Sequence, residues 1–178
     1  MSTLKPDNNH AALADAPADS SLDMLYRRPG FLMRRAHQIG VSLFLEECAA
    51  LGITTTQYGA LVVLNARSDL DQVGLATLVG IDRSTTALVV GKLESAGYVQ
   101  RQSDPSDKRR KVLALTLTGR EILEKAAIPA RRTRERELAV FTETQAESFL
   151  ELLEIFVSAF NAETRAPIKA SKRNGKRA

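Results

Sequence analysis

Apolar residues recur along most of the chain with the period of an α-helix. They return at intervals of three and four residues from Phe31 to Leu51, in two adjoining stripes, and again from Phe149 to Phe160. This spacing gathers them on one face of each helix. The first segment is apolar over more than half of its circumference, which favours a central position, whereas the second needs a partner surface. The pattern predicts a mainly α-helical protein.

Polar caps mark where several helices begin. A Ser or Thr followed three residues later by Glu or Gln lets each side chain bind a backbone N–H that the first helical turn leaves free. This pattern occurs at Thr54 with Gln57, at Thr118 with Glu121, and at Thr142 with Gln145. A short helix is also predicted over Gln72–Val79 and another from Arg83 to Ala96, because a glycine follows each of them.

Two strand-like runs follow these helices. They cover Val99–Ser103 and Lys111–Leu117, and the loop between them is rich in turn-forming residues. Alternate positions of the second run are predicted to point inward. The inward set is Leu113, Leu115 and Leu117, and the outward set is Val112, Ala114 and Thr116. The runs therefore predict a small β-hairpin.

The two helices before the hairpin have the spacing of a helix-turn-helix. Ala76 is small where two helices cross closely, and Gly80, four residues later, permits a tight turn. Asp82 is predicted to cap the second helix. In such a unit the second helix enters the major groove of DNA, with its N-terminal residues at the base edges.

This second helix divides into an apolar and a polar face. Thr86, Val89, Val90 and Leu93 share one face and are predicted to be core. The opposite face is short, and its side chains can hydrogen-bond bases or contact thymine methyl groups. The candidate base-reading residues are Arg83, Ser84, Thr85, Ala87, Leu88 and Lys92.

The hairpin loop concentrates positive charge close to this helix. Its five basic residues outnumber two aspartates and give a net charge of +3. An arginine at a hairpin tip can enter the narrow, electronegative minor groove. Arg109 is the candidate, and Asp107 is predicted to hold its guanidinium in a bidentate pair. The candidate DNA-binding wing comprises Arg101, Asp107, Lys108, Arg109 and Arg110.

One family resemblance covers most of the chain. The chain resembles the winged helix-turn-helix core of the MarR family of bacterial regulators over the stretch ATLVGIDRSTTALVVGKLESAGYVQRQSDPSDKRRKVLALTLTGRE. The matching motifs are Asp82-Arg83-Ser84-Thr85, Leu93-Glu94 with Gly97, Asp107-Lys108-Arg109, and Leu115-Thr116 with Thr118 and Gly119. Many members carry an arginine where this chain has Leu88, so their operator preference does not transfer.

The resemblance implies a homodimer that binds double-stranded DNA at a pseudo-palindromic operator. The first helix and the last two helices of each chain would interlock, and two lobes would contact half-sites roughly 10 base pairs apart. The apolar stripe of the last helix independently favours such an interface, together with Leu22, Leu25 and Phe31.

The predicted organisation is one domain with two loose ends. Residues 1–22 form a flexible N-terminal arm, residues 23–164 a single domain, and residues 165–178 a basic disordered tail. Within the domain, dimerisation helices cover about 23–51 and 119–162, and the winged helix-turn-helix covers about 53–117. The tail would add sequence-independent attraction to phosphate or serve only as a solubilising end.

Composition restricts the remaining classes of function. The chain has 178 residues and a formal net charge of +4, and six basic residues lie among its last fourteen. It shows no apolar run of membrane-spanning length and no signal peptide, so we expect a cytoplasmic protein without membrane association.

Cys48 is the only cysteine, which excludes an intrachain disulfide and a thiolate zinc site. Its apolar neighbours favour a buried structural role.

Members of the family typically release DNA when a small, often aromatic or anionic molecule binds between the dimerisation helices and the DNA-binding lobe. Candidate effector residues are Arg34, His37, Gln38, Phe44, Tyr58 and Val62. Arg34 and His37 could bind a carboxylate while the two aromatic rings enclose the ligand's ring. A histidine bonded to backbone and an interface ion pair are the alternatives. The segments RRPGFLMRRAHQIG and TTTQYGALVVL further resemble regulators of aromatic-acid catabolism, which implies an aromatic carboxylate or its CoA thioester as effector.

The predicted function is a sequence-specific transcriptional repressor that this effector releases from its operator. An activator on the same fold and a helical dimeric protein-interaction module are alternatives, and a strong salt dependence of DNA binding would separate the second from a regulator. No phosphate-binding glycine loop, HExxH, G-x-S-x-G elbow or paired metal-ligand spacing is present. We therefore expect no catalytic residues, no metal and no cofactor.

Overall fold

The computed structural model describes residues 20–104 and 107–169, which form seven α-helices and one two-stranded antiparallel sheet. The helices are α1 (Ser20–Tyr26), α2 (Pro29–Glu47), α3 (Thr55–Ala66), α4 (Gln72–Val79), α5 (Arg83–Ser95), α6 (Leu117–Leu138) and α7 (Glu143–Phe160). The strands are β1 (Val99–Ser103) and β2 (Lys111–Leu115), and short 3-10 turns cover Ala49–Leu51 and Asn161–Glu163. The predicted fold class is confirmed. Most of the predicted arm and tail, residues 1–19 and 170–178, lies outside the described residues.

The core lies among α3, α4, α5 and the hairpin. Its largest fully buried side chains include Leu61, Leu75, Leu93 and Leu113, one from each of these elements. Helices α2 and α6 contribute at one side, through residues that include Phe44 and Ile122. Thr86, Val89, Val90 and Leu93 are all buried, as their spacing on α5 predicts. The lobe that presents α5 is therefore built on a continuous apolar core.

The turn between α4 and α5 sets the direction of α5. The two helices meet at 110°, within the range of a helix-turn-helix. Gly80 ends α4 with φ 74°, in the left-handed region, and the Gly80 and Ile81 amides both donate to the carbonyl of Ala76, at 2.9 and 3.2 Å. Ala76 is itself buried. The roles predicted for Ala76 and Gly80 are thus confirmed.

The β-hairpin differs from the predicted alternation at two positions. Val99 pairs with Leu115 and Ser103 with Lys111, and the Leu113 amide donates to the carbonyl of Leu70 at 2.7 Å. The segment before α4 thus joins the edge of β2 and helps to cover it. Val112 is 1% exposed, so the expectation that it points outward is wrong.

The prediction that Leu117 points inward is also wrong, because Leu117 lies in the first turn of α6 and is 79% exposed. The strand ends earlier because Thr116 is the N-cap, accepting from the Gly119 amide at 2.9 Å. Its hydroxyl also donates to the carbonyl of Gly97 at 2.6 Å, which ties the start of α6 to the end of α5. The predicted cap at Thr118 is therefore two residues too late, whereas the capping boxes at Thr54 and Thr142 are confirmed.

The apolar stripes of α2 and α7 stay largely exposed within one chain. On α2 only Phe44 is buried, and Leu32 and Ile39 are 50% and 52% exposed. No residue of α7 is buried. The central position predicted for the first helix is therefore not met inside a single chain, because its stripes extend beyond the lobe that it contacts.

No single helix in the described ranges has the length and apolar composition needed to cross a membrane. One bent pair, Gln72–Val79 with Arg83–Ser95, passes that test by length and composition together.

Replacing Gly80 by alanine should lower the free energy of unfolding. A side chain in the left-handed region costs roughly 1–2 kcal/mol, and a Cβ at this position would lie 2.7 Å from Cγ1 of Ile168. Gly91→Ala is the control, because Gly91 lies inside α5 and its Cβ would meet nothing within 4 Å. That change should raise stability by about 0.5–1 kcal/mol. Urea denaturation followed by circular dichroism measures both, and shifts of the same sign would contradict the prediction.

Candidate nucleic-acid interface

The N-terminus of α5 is held by one aspartate. Asp82 accepts a hydrogen bond from the Thr85 amide at 2.9 Å and another from the Thr85 hydroxyl at 2.6 Å. These bonds, with the side-chain bond first in importance, hold the pKa of Asp82 below its ordinary value. The Thr86 hydroxyl donates to the Asp82 carbonyl at 2.8 Å and is buried. The first turn of α5 is therefore fixed before any ligand arrives.

The structure brings the predicted base-reading residues onto one face of α5. Five of the six are exposed, and Leu88 is the most prominent apolar member at 69% exposure. Thr85 is half-buried, since its hydroxyl already donates to Asp82. The exposed residues are Arg83, Ser84, Ala87, Leu88 and Lys92. This face combines a cation, a hydroxyl and apolar groups within two turns, the chemistry that can distinguish base pairs in a major groove.

Arg101 lies at the base of the wing rather than at its tip. From β1 its Nε donates to Glu94 on α5 at 2.9 Å, and its Nη2 donates to Gln72 on α4 at 3.0 Å. One side chain thus joins the hairpin to both helices of the helix-turn-helix. The bridging groups were missed from the sequence, because Gln72 lies 29 residues before Arg101.

Arg110 fixes the other strand to the segment before α4. Its Nη1 donates to the buried Asp104 carboxylate at 3.1 Å and its Nη2 to the carbonyl of Asp69 at 2.9 Å. Its Nε lies 3.7 Å from the carboxylate of Asp71, which caps α4 by accepting from the Gly74 amide at 2.7 Å. Arg110 therefore contacts three separate points on the wing and the helix-turn-helix.

The tip of the wing presents Lys108 and Arg109. Both are exposed, and neither side chain has a hydrogen bond or ion pair to the residues that the structure describes. The predicted side-chain pair between Asp107 and Arg109 is wrong: the Asp107 carboxylate accepts from the Arg109 backbone N–H at 3.0 Å. An aspartate two residues before an amide closes such a turn readily, so Asp107 shapes the backbone and leaves the Arg109 guanidinium unpaired within the described residues.

The predicted effector residues fall into two separate groups. Arg34 donates to Gln38 at 3.1 Å on the exposed side of α2, and His37 is exposed as well. Phe44 lies ten residues beyond Arg34, about 15 Å along the helix. Its ring contacts Tyr58 directly, with the ring centroids 5.5 Å apart and tilted by 46°. The expectation that these two rings enclose a ligand ring is wrong, because they already pack against each other.

An open cavity lies at the start of α2, close to Arg34. Its volume is about 720 Å³, and its lining is Leu25, Arg28, Pro29, Gly30, Phe31 and Arg34. The Arg34 guanidinium stacks over the Phe31 ring at 5.0 Å from the centroid. Of the predicted effector residues only Arg34 lines this cavity, while Val62 lies exposed on α3. Arg28 and Phe31 were missed, although the three-residue spacing of Phe31 and Arg34 is the helical signal that could have indicated their contact.

Cys48 is a buried thiol at the end of α2, 1% exposed. Burial, and secondarily the negative charge of Glu47, raises the pKa of Cys48. The thiol is therefore protonated at neutral pH and poorly nucleophilic. Among residues 20–104 and 107–169, no three His, Cys, Asp or Glu side chains group as metal ligands do.

Comparisons with known proteins agree with this arrangement. The MarR family model matches residues 53–111, from the start of α3 to β2. The transcriptional regulator HosA of Escherichia coli O111:H- is 31% identical over 108 residues, covering 60% of this chain and 79% of that protein. The transcriptional repressor NicR of Pseudomonas putida is 28% identical over 119 residues, covering 67% of this chain and 75% of that protein. By name, these relatives are regulators of transcription.

Solved structures show the same fold with different ligands. PcaV of Streptomyces coelicolor, in complex with its natural ligand, is 31% identical with a TM-score of 0.67, over 76% of this chain and 95% of that one. The repressor CouR bound to a 23-mer DNA duplex is 28% identical with a TM-score of 0.69, over 75% of this chain and 94% of that one. CouR of Rhodococcus jostii RHA1 bound to p-coumaroyl-CoA is 27% identical with a TM-score of 0.65, over 76% of this chain and 94% of that one.

Removing Arg110 should loosen the wing without changing its tip. In Arg110→Gln, backbone amides of β2 should exchange with deuterium about fivefold faster, corresponding to about 1 kcal/mol of lost local stability. Arg109→Gln is the matched control, because it removes an arginine next in sequence that has no side-chain bond to the described residues. Equal exchange rates in the two variants would show that the contacts of Arg110 do not hold the wing.

Proposed function

The chain belongs to the MarR family of transcriptional regulators, and from that premise we propose that it is a homodimeric repressor, released from a pseudo-palindromic operator by a small aromatic carboxylate or its CoA thioester. One observation carries the DNA-binding part. The polar face of α5 is exposed, and the base of the wing is bonded to α4 and α5, so that the wing is held beside the helix. A recognition helix and a charged hairpin in fixed relation suit adjacent major and minor grooves.

The proposed contacts divide into base-reading and backbone-binding groups. Arg83, Ser84 and Lys92 would reach base edges or phosphates from α5, and Ala87 and Leu88 would contact thymine methyl groups. At the wing, Lys108 and Arg109 would enter the minor groove or neutralise phosphates. Arg101, Arg110 and Asp107 hold the wing in position through the contacts described above, and Thr85 is committed to the helix cap.

The proposed dimer interface uses the exposed apolar faces. Helix α7 presents Phe149, Leu152, Leu153, Phe156 and Phe160, each at least 36% exposed in one chain. Leu22 and Leu25 on α1 are exposed to a similar degree. An apolar surface of this extent on a soluble chain is usually covered by a partner, and a second copy gives the two-fold symmetry that a pseudo-palindrome requires. Within a domain of residues 23–164, α1, α2, α6 and α7 would therefore join the two DNA-binding lobes.

We place the effector site at the start of α2. Arg28 and Arg34 line the open cavity there with Phe31, which supplies two cations for a carboxylate and an apolar wall for an aromatic group, one face of the Phe31 ring being covered by the Arg34 guanidinium. Gln38 and His37 would extend the site along α2, whereas Val62 on α3 does not line the cavity. Because the cavity lies between helices assigned to the dimer, a bound effector can favour a different spacing of the two recognition helices.

DNA binding should be sequence-specific and strongly dependent on salt. We would titrate the full chain into labelled duplexes from its own upstream region and into scrambled duplexes, at several salt concentrations, by fluorescence anisotropy. Sedimentation of the complex should give two chains per operator. The slope of log K against log salt is negative. Arg109→Ala should reduce its magnitude by about 1 for each wing, since each lost phosphate contact removes about 0.9.

Arg132→Ala is the control for charge alone, because Arg132 is an exposed charged residue of α6 that belongs neither to the wing nor to the apolar residues named for the dimer interface. Its slope should match that of the unchanged chain. Equal affinity for upstream and scrambled DNA would exclude a sequence-specific regulator and favour the protein-interaction module. Increased transcription from the bound promoter would instead indicate an activator.

Effector release should depend on Arg34. Aromatic carboxylates and their CoA thioesters would be titrated into the preformed DNA complex, and one class should release it. Arg34→Ala should weaken release roughly 10-fold or more while leaving DNA affinity unchanged, because a charged hydrogen bond contributes about 1.5–3 kcal/mol.

Arg35→Ala is the matched control for this site. Arg35 also donates to Gln38, at 3.0 Å, but it does not line the cavity. Equal loss of release in both variants would exclude the cavity as the site. If no compound of either class released the complex, the effector part of the proposal would be wrong while DNA binding stood.

A further inference from the structure

The segment after α7 is closed into a loop by one asparagine. The Asn161 side-chain amide donates to the carbonyl of Ile168 at 2.8 Å, and its side-chain oxygen accepts from the Ile168 amide at 2.8 Å. The Thr164 hydroxyl donates to the Asn161 carbonyl at 3.0 Å within the loop. Residues 161–168, the C-terminal latch, are therefore held in shape by their own contacts, directly after the last turn of α7.

The latch packs on the turn between α4 and α5. Cγ1 of Ile168 lies 2.7 Å from the place that a Cβ of Gly80 would occupy, and the Ala166 carbonyl oxygen lies 3.8 Å from the same place. Only a residue without a side chain leaves room for Ile168 here. Gly80 thus has a second role besides its positive φ, because it lets the latch approach the turn closely.

A cavity of about 640 Å³ lies between the last turns of α7 and the same turn. Phe156 and Phe160 line it from α7, Ile81 and Asp82 line it from the turn, and the latch completes the lining. Asp82 is the N-cap of α5. The latch therefore spans a gap, and it connects a helix assigned to the dimer interface with the N-terminal end of the recognition helix.

The covalent link between the DNA-binding lobe and α7 is α6, which contains Pro129. A proline inside a helix lacks the N–H for one backbone hydrogen bond and permits a bend. Ile122 and Ala126, which precede the proline, belong to the core of the lobe. The stretch of α6 after Pro129 leads on to α7, so α6 alone does not fix the angle between α7 and the lobe.

We propose that Asn161 and Ile168 determine which half-site spacing the dimer accepts, because the latch fixes the angle between α7 and the recognition helix. The inference rests on the proposed DNA-binding function and assigns residues to its choice of operator. One added base pair moves a half-site by about 3.4 Å and rotates it by about 35°. A dimer with firmly held lobes rejects such a site, whereas loosely held lobes accept it at a lower penalty.

The first experiment measures this spacing preference with the full chain. The bound site from the upstream DNA would be rebuilt with one base pair inserted or deleted between its half-sites, and affinities measured by fluorescence anisotropy. Ile168→Ala removes the atoms that pack on Gly80. It should reduce the affinity ratio between original and altered spacing at least roughly threefold, because the freed lobes reorient to fit.

Ile168→Val is the matched control, because valine keeps a γ carbon beside Gly80. Its affinity ratio should match that of the unchanged chain. An unchanged ratio in Ile168→Ala would overturn the proposal, and so would an equal reduction in both variants.

A second variant tests the closing hydrogen bonds instead of the apolar contact. Asn161→Asp keeps the shape of the side chain but places an oxygen, rather than an N–H donor, against the Ile168 carbonyl. It should reduce the spacing ratio as Ile168→Ala does, and circular dichroism checks that it is folded. Arg165→Gln removes a charge from the latch without touching either contact, and its ratio should stay unchanged. A folded Asn161→Asp with an unchanged ratio would contradict the proposal.

A duplex with one half-site scrambled separates lobe angle from folding. It engages one lobe specifically, so the unchanged chain, Ile168→Ala and Asn161→Asp should bind it equally. A loss there as large as the loss on the whole operator would mean that the latch supports the lobe itself, and the proposal would fail. If the unchanged chain does not prefer upstream to scrambled DNA, the proposed function has failed. If it does and the spacing ratios never change, only the role of the latch is lost.

The last measurement needs no DNA. Cys48 is 1% exposed, so Lys108→Cys provides one selectively labelled site at the tip of each wing. Double electron–electron resonance between the two spin labels of the homodimer should give a narrow distance distribution, which Asn161→Asp broadens and Arg165→Gln does not. Equal widths in all three proteins would show that the latch does not hold the lobes, and the proposal would be wrong.

Discussion

The proposed DNA-reading surface depends on how the first turn of α5 is held. The Asp82 carboxylate binds the Thr85 amide and hydroxyl, and the Asp82 carbonyl binds the Thr86 hydroxyl. Both faces of the helix start from this cap: Thr86 begins the buried row that fixes α5 on the core, and Arg83 and Ser84 begin the exposed row. Gly80 then fixes the angle at which the capped helix leaves α4. A helix that must enter a groove end-first needs its end ordered in advance, because ordering it on binding would cost conformational entropy.

The basic residues of the wing have different structural roles despite their similar charge. Arg101 and Arg110 use their guanidinium groups to bind the hairpin to both helices, at distances of 2.9 to 3.1 Å for four of the contacts. Lys108 and Arg109 extend from the turn that Asp107 closes. The planar, multidentate guanidinium suits the first role, since it can satisfy several oxygen acceptors at once. A charged loop can therefore be rigid at its base and open at its tip.

Local patterns allowed much of this to be predicted from the sequence, and long-range contacts explain most of what was not. The caps at Thr54, Asp82 and Thr142 depend on residues three positions apart, and all three are confirmed. The partners of Arg110 lie up to 41 residues away, and only the fold brings them together. Val112 is buried although the alternation along β2 predicts that it points outward. The Leu113 amide bonds to the Leu70 carbonyl, a partner that no pattern within β2 could reveal. The contact between Phe44 and Tyr58 likewise depends on how α2 crosses α3.

The only thiol that could make the protein sensitive to oxidation is Cys48. Its burial and its raised pKa keep it in the thiol form, out of reach of peroxide and poorly reactive with it. Oxidation of this thiol is therefore not a route by which a promoter would be regulated. The effector proposed above would act by reversible binding, and its signal would stay separate from the chemistry of Cys48.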